Sequence, residues 1–164
     1  HLRLTSTFES SFFNYENNLI EVYIENYHDS LNNNLIINSN LIKNWDFNSL
    51  KSLKISKFHF NKIESNTFKK MLNLKSLDLE ENRISEIETD AFNNLTRLEY
   101  LNLRLNKIQI LDPTIFNNLV QLKKLNLFKN NIVLQPRQFE CLKNLQELNL
   151  AFNNLKLIHN DTFK

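Results

Sequence analysis

The chain has 164 residues, 41% of them hydrophobic and 23% charged, with a formal net charge of +2. That is apolar enough to build a core and too balanced in charge to demand nucleic acid or an anionic membrane. It has no Gly, one Cys and four His, which excludes a Gly-rich phosphate loop, a dinucleotide fingerprint, an internal disulfide and a Cys-based zinc site.

Other counts narrow the class further. Asn, with 29 residues, and Phe, with 13, are both in excess. His1, His28, His59 and His159 show no metal-ligand spacing. No apolar run approaches the roughly 18 residues that span a bilayer, so no membrane insertion is expected within this chain. The chain opens at His1 with no charged-then-apolar leader, which reads as a processed product or an excised piece.

Residues 1–49 form an irregular N-terminal region of repeats or cap. Leu2 and Leu4, and Val22 and Ile24 in LIEVYIENY, alternate as strands do. From Ile24 to the matching Ile55 the chain spends 31 residues, so the polar stretch HDSLNNN (His28–Asn34) is expected to bulge as a loop. Tyr27 and Phe58 are expected to stack as an aromatic block.

From residue 50 the chain repeats at a period of about 24 residues. The copies are 50–73, 74–97, 98–121, 122–144 and a truncated 145–164. LKSLDLEENRISEIETDAFNNLTR over LEYLNLRLNKIQILDPTIFNNLVQ shows Leu, Leu, Leu, Asn, Ile, Phe and Leu in register. Each LxL step, such as Leu77–Leu79 or Leu101–Leu103, has the strand period and points two apolar side chains inward. The following Asn (Asn82, Asn106, Asn130, Asn153) stands where the chain leaves the strand. There its amide can both accept from and donate to neighbouring coils as a ladder. Phe68, Phe92, Phe116, Phe139 and Phe163 form a second spine on the return side. No copy buries these faces alone, so stacking is obligatory. The remaining Asn reflects turns and exposed faces, with Asn93–Asn94 and Asn117–Asn118 expected to take turn or αL geometry in place of Gly, or a biased codon pool.

The pattern LxxLxLxxNxIxxIxxxxFxxLxx resembles the leucine-rich repeat in its 24-residue extracellular animal form, and is similar to insect Toll-type ectodomains and secreted insect leucine-rich immune proteins. The resemblance implies an α/β solenoid: a horseshoe with a parallel concave β-sheet and an irregular or short-helical convex side. It also implies ligand binding on the concave sheet. Members usually carry terminal caps, often Cys-bearing; the last copy here stops mid-coil, which again reads as a piece of a longer protein or an end covered by a partner.

On such a sheet, equivalent residues of successive copies form columns about 4.8 Å apart. Lys54, Asp78, Asn102, Asn126 and Asn149 form one, Ser52, Ser76, Tyr100, Lys124 and Glu147 another. Ser56, Glu80, Arg104, Phe128 and Ala151 form a third; Lys57, Glu81, Leu105, Lys129 and Phe152 a fourth. In the N-terminal half the charges pair laterally, as Lys54–Asp78, Glu80–Arg104 and Lys57–Glu81, and a solvated structural face is expected. Asp78, Glu80 and Glu81 do not make a calcium site, because the basic neighbours oppose a cation. In the C-terminal half Tyr100, Leu105, Phe128 and Phe152 stand at outward positions beside Arg104, Lys129, Asn126 and Asn149. Those eight residues have the composition of an interface and are the candidate protein-binding patch.

Asn94-Leu95-Thr96 and Asn160-Asp161-Thr162 are acceptor sequences for N-glycosylation, both on the return side away from the sheet. Cys141 matches Asn94 and Asn118 in register, and reads as a small inert side chain. No nucleophile–base or paired-carboxylate set recurs, and no cofactor is expected. The expected function is a non-enzymatic recognition module binding a protein ligand or partner subunit. The expected setting is extracellular or at a cell surface, in innate immunity or cell-surface recognition, with no nucleic-acid partner. An adhesion or assembly scaffold that self-associates, and an intracellular adaptor, are the alternatives.

Overall fold

The computed structural model describes the backbone of Leu2–Leu4, Glu21–Glu25 and Leu35–Ile37, and residues 49–163 in full. Tyr27 and the insert His28–Asn34 lie outside the described residues. The strands in chain order are β1 (Leu2–Leu4), β2 (Glu21–Glu25), β3 (Leu35–Ile37), β4 (Ser52–Ser56) and β5 (Phe60–Ile63). They continue as β6 (Ser76–Asp78), β7 (Glu86–Ile87), β8 (Tyr100–Asn102), β9 (Lys124–Asn126) and β10 (Glu147–Asn149).

Seven of them form one parallel sheet in the order β1-β2-β4-β6-β8-β9-β10, one strand per coil. Register runs leucine to leucine: Val22 opposite Leu53, then Leu77, Leu101, Leu125 and Leu148. This is the alignment the LxL steps predict, because a slip of one residue would turn every inward leucine out to water. Leu53, Leu77, Leu101 and Leu125 are buried, as are the second-step residues Ile55, Leu79, Leu103 and Leu127. Together they make the core of a parallel solenoid.

The convex side is richer than expected. A turn of 3-10 helix covers Pro113–Phe116, with Asp112 Oδ1 accepting from the Thr114 N–H at 2.8 Å and Pro113 opening the turn. In the earlier coils, however, β3, β5 and β7 form a second parallel sheet of three strands. No α-helix occurs among the described residues. From Val22 to Ile36 the chain spends 14 residues where the next coil, from Leu53 to Lys62, spends 9. Most of the extra length of that coil therefore lies between β2 and β3.

The asparagine ladder forms as the spacing predicts. Asn106 Oδ1 accepts the Ile84 N–H at 3.0 Å, and its Nδ2 donates to Leu79 O and Leu103 O, each at 3.0 Å, and to Arg104 O at 3.2 Å. Asn82 does the same for Phe58 N and Ile55 O, Asn130 for Ile108 N and Leu103 O, and Asn153 for Ile132 N and Leu127 O. Each amide thereby satisfies buried backbone groups that no strand partner reaches. Phe58, at the head of the ladder, is buried and stacks on Phe60 at 5.7 Å.

The phenylalanine spine stacks on the return side. Phe68 lies 6.1 Å from Phe92, Phe116 6.2 Å from Phe139, and Phe139 5.7 Å from Phe163. A second buried amide was not anticipated: Gln138 Nε2 donates to Leu111 O at 3.1 Å while its Oε1 accepts from Gln135 N at 3.2 Å.

Both Asn pairs expected in turn or αL geometry lie in turns, Asn94 left-handed at φ 69° and Asn117 right-handed at φ −55°. The recurring αL residue is instead the one before each ladder position: Lys57, Glu81, Leu105, Lys129 and Phe152, at φ 51–65°. Its N–H is used by the next coil, as in Glu81 N to Arg104 O at 3.1 Å and Leu105 N to Phe128 O at 2.9 Å. Those bonds, and the ladder beside them, outweigh the αL cost of about 1–2 kcal/mol for a residue with a Cβ.

Candidate functional site

The concave sheet divides into a charged half and an aromatic half. In the first, Lys54 Nζ lies 2.6 Å from Glu80 Oε1 and 3.7 Å from Asp78 Oδ2. Arg104 Nε approaches Glu80 Oε2 at 3.3 Å, and a terminal nitrogen reaches Glu81 at 4.0 Å. Two of the three expected side-chain pairs, Lys54–Asp78 and Glu80–Arg104, are therefore present, with Glu80 between the two cations. Lys57 meets Glu81 through its backbone, N to O at 3.0 Å.

Asn102 requires a correction. Its position on the concave strand predicted an exposed side chain of little energetic consequence. It is instead buried, with Nδ2 donating to Asp78 Oδ1 at 3.0 Å and Glu80 Oε2 at 3.3 Å, and Oδ1 accepting from Arg104 N at 3.2 Å. The carboxylates of the preceding coil cover it. Burial raises the pKa of Asp78 from its ordinary value, opposed by the Glu80 N–H and by Lys54. Burial likewise pushes the Tyr100 hydroxyl upward, helped by Asp78 and Glu80. Lys54, whose side chain is only 19% exposed, is thus a structural partner and not a neutral spectator.

In the aromatic half, the Phe128 and Phe152 rings meet at 5.0 Å with a 57° tilt. The guanidinium of Arg104 lies over Phe128 at 5.9 Å, an exposed-site cation–π contact worth roughly 0.5–1 kcal/mol. Phe152 is 75% exposed. Lys129 and Asn149 are exposed as well, while Tyr100, Arg104, Leu105, Asn126 and Phe128 are half-buried. All eight predicted residues fall on β8, β9, β10 or the turn that follows each strand.

Two features escaped sequence reading. Glu99, at the strand entrance, is clamped by Lys75 at 3.0 Å and Lys123 at 2.7 Å, which holds its carboxyl below the usual range. Their 24-residue spacing was the available signal. On the return side, a cleft of about 430 Å³ is lined by Gln109, Asn131, Val133, Leu134, Lys156 and His159, among others. Val133 and Leu157, both exposed, are among its lining residues.

The remaining candidates lie away from the sheet. Asn94 is exposed, its Nδ2 donating to Lys69 O at 3.3 Å, and Asn160 is exposed in the last described turn. Cys141 is half-buried, with Sγ 3.7 Å from Pro113 O, and burial pushes its thiol upward. The concave face thus presents fixed donors, one guanidinium and an aromatic pair.

Comparison with known proteins follows this geometry. The family profile described as Leucine rich repeat matches residues 48–92 and 73–132, and a second, Leucine Rich Repeat, matches residues 144–164. Among solved structures 201 chains match, too many to point at one activity. One is described as "Crystal structure of TLR13-ssRNA13 complex", with a TM-score of 0.67 and 28% identity over 90% of this chain. This chain spans 23% of the length of that one. No curated protein sequence matches.

Proposed function

We propose that this chain, which belongs to the leucine-rich repeat family, is a non-enzymatic recognition module holding a protein ligand against the C-terminal half of its concave sheet. The observation that carries the reading is the Phe128–Phe152 pair, with Phe152 75% exposed. Large aromatics on a sheet face gain little from the solenoid core and resemble the anchors of protein interfaces. The setting we propose is extracellular or cell-surface, in innate immune or cell-surface recognition. Resemblance to Toll-type ectodomains, likeness to the TLR13 chain and the two exposed glycosylation acceptors support it.

The TLR13 neighbour was solved with ssRNA13. For this chain we favour protein over RNA on electrostatic grounds. Lys54 and Arg104 on the concave face are paired with Asp78, Glu80 and Glu81, and Lys124 with Glu147, so among the described residues no continuous cationic track of the kind a phosphate backbone requires follows the strands.

Photo-crosslinking tests the reading. A photoreactive phenylalanine analogue at position 152, in cells making the full protein, is expected to yield a discrete protein adduct; the same analogue at Lys69 on the return side is not. Phe128→Ala should weaken capture about thirtyfold, the loss of one anchor worth about 2 kcal/mol. Ser76→Ala, on the same sheet, should leave capture unchanged. Equal adducts from positions 152 and 69, or full capture by a folded Phe128→Ala protein, would remove the concave patch as the site.

A further inference from the structure

The centre of each of the last four concave strands carries a short polar side chain: Asp78, Asn102, Asn126 and Asn149, aligned as Cα partners. In every one Oδ1 accepts the N–H two residues on, from Glu80 at 3.0 Å, Arg104 at 3.2 Å, Phe128 at 3.0 Å and Ala151 at 3.1 Å. That local bond fixes the side chain, so the amide Nδ2 of each Asn is held in one direction.

At Asn102 the amide is consumed internally, on the carboxylates of Asp78 and Glu80. One coil on, the same amide recurs as Asn126, but Asn102 stands where Asp78 stood and Arg104 where Glu80 stood. A further coil on, Asn149 is preceded by Asn126 and Phe128. Among the described residues neither Asn126 Nδ2 nor Asn149 Nδ2 makes a hydrogen bond. Cationic capacity is close by. Lys129 is exposed at the αL turn.

We propose that this patch reads a peptide segment of a protein partner in which an Asp or Glu carboxylate lies next to an apolar side chain. The carboxylate accepts from Asn126 and Asn149, as Asp78 and Glu80 accept from Asn102, and the apolar side chain rests on Phe128 and Phe152. A carboxylate is favoured over a neutral carbonyl because the bond is charge-assisted and about twice as strong, and because Lys129 complements its charge. The inference rests on the concave binding reading and adds the chemistry of the ligand.

A displayed library of random dodecapeptides, selected on the immobilised full protein, tests it. Selected peptides are expected to carry Asp or Glu beside Phe, Leu, Ile or Trp. Changing that acid to its amide in a synthetic peptide should weaken binding about tenfold, the value of one charge-assisted hydrogen bond. Asn126→Asp is the informative variant: it keeps the Oδ1 acceptor for Phe128 N, and the protein already tolerates Asp78 at this position. It should abolish the acid-over-amide preference or reverse it, with an unchanged melting temperature. If selected peptides are lost on Phe128→Ala yet bind equally as acid and amide, the carboxylate inference fails while the concave reading stands. If no peptide is selected, if peptides ignore Phe128→Ala, or if only a single-stranded 13-nucleotide RNA competes with them, both fail.

Discussion

Replacing Asn106 with Ala separates the bonds that matter in the ladder from those that are duplicated. Three carbonyls lose a donor, but Leu79 O keeps Asn82 Nδ2 at 3.1 Å and Leu103 O keeps Asn130 Nδ2 at 3.0 Å. The Ile84 N–H is different, because Asn106 Oδ1 is its acceptor and the pair is buried. An orphaned buried N–H costs about 1–3 kcal/mol, and the shared donations add about 1 kcal/mol more. The expected loss is therefore about 3 kcal/mol. With a urea m-value of about 2 kcal/mol/M the midpoint falls by about 1.5 M. Asn102→Ala removes donors from Asp78 and Glu80, which Lys54 continues to neutralise, and the acceptor of the part-buried Arg104 N–H, so the loss there is about 1–2 kcal/mol after allowing for solvent screening. Urea titrations followed by circular dichroism give both midpoints. Asn106→Asp adds a control, since it keeps the acceptor for Ile84 but aims a carboxylate at three carbonyls, and should be no better than Ala. Equal midpoint shifts for Asn106→Ala and Asn102→Ala would refute the account of which groups are orphaned.

Four shorter predictions follow from other parts of the solenoid. Glu88, held by Lys62 at 2.7 Å and by the Ser65 N–H at 2.7 Å, has its pKa lowered from 4.5 to about 2. Its folded pKa lies below the unfolded one, so its contribution is present above pH 4.5 and is lost as pH falls toward 2; Glu88→Gln should flatten the melting temperature across that window. Cys141, with its raised thiol pKa, should react with a disulfide reagent at least about tenfold more slowly in the native protein than in urea, and equal rates would contradict its burial. Lys129→Asn, at φ 51°, should raise stability by about 0.5–1 kcal/mol, since Asn tolerates αL better than Lys; an unchanged urea midpoint would show that the turn carries no strain. Secreted from eukaryotic cells, the protein should lose one glycosidase-sensitive mass step in Asn94→Gln and another in Asn160→Gln, and no shift in either would count against the extracellular setting.

The legible parts of the molecule are those in which one residue type answers one physical demand. Inward leucines and the ladder Asn recur because a buried strand step accepts little else, and both could be read at a fixed spacing. Asn102 was misread because strand alternation gives only the direction in which a side chain leaves the backbone. It says nothing of whether Asp78 and Glu80 fold over it. Gln138 was missed for a related reason. Its register partners Thr67, Ala91, Ile115 and Thr162 are all buried, so the column itself was the signal and the chemically mixed column hid it. The αL turns escaped because Lys, Glu, Leu and Phe are not the residues that usually occupy them; intercoil hydrogen bonds impose that conformation, and they belong to tertiary structure. Within the candidate patch, residue identities and column neighbours were legible. The Arg104 stack and the unspent amides of Asn126 and Asn149 depended on coordinates.

Every ladder amide reaches backward. Asn82, Asn106, Asn130 and Asn153 accept an N–H from the coil before their own and donate to a carbonyl of that same coil. Gln138 and Cys141 likewise bond to carbonyls of the preceding coil. A coil is therefore completed by the one that follows it, and the solenoid has a direction of assembly. Within the ladder a coil boundary is therefore asymmetric: the upstream coil holds a buried N–H whose acceptor belongs to the coil that follows, as at Ile84, while the following coil holds an amide donor that water could satisfy in its place.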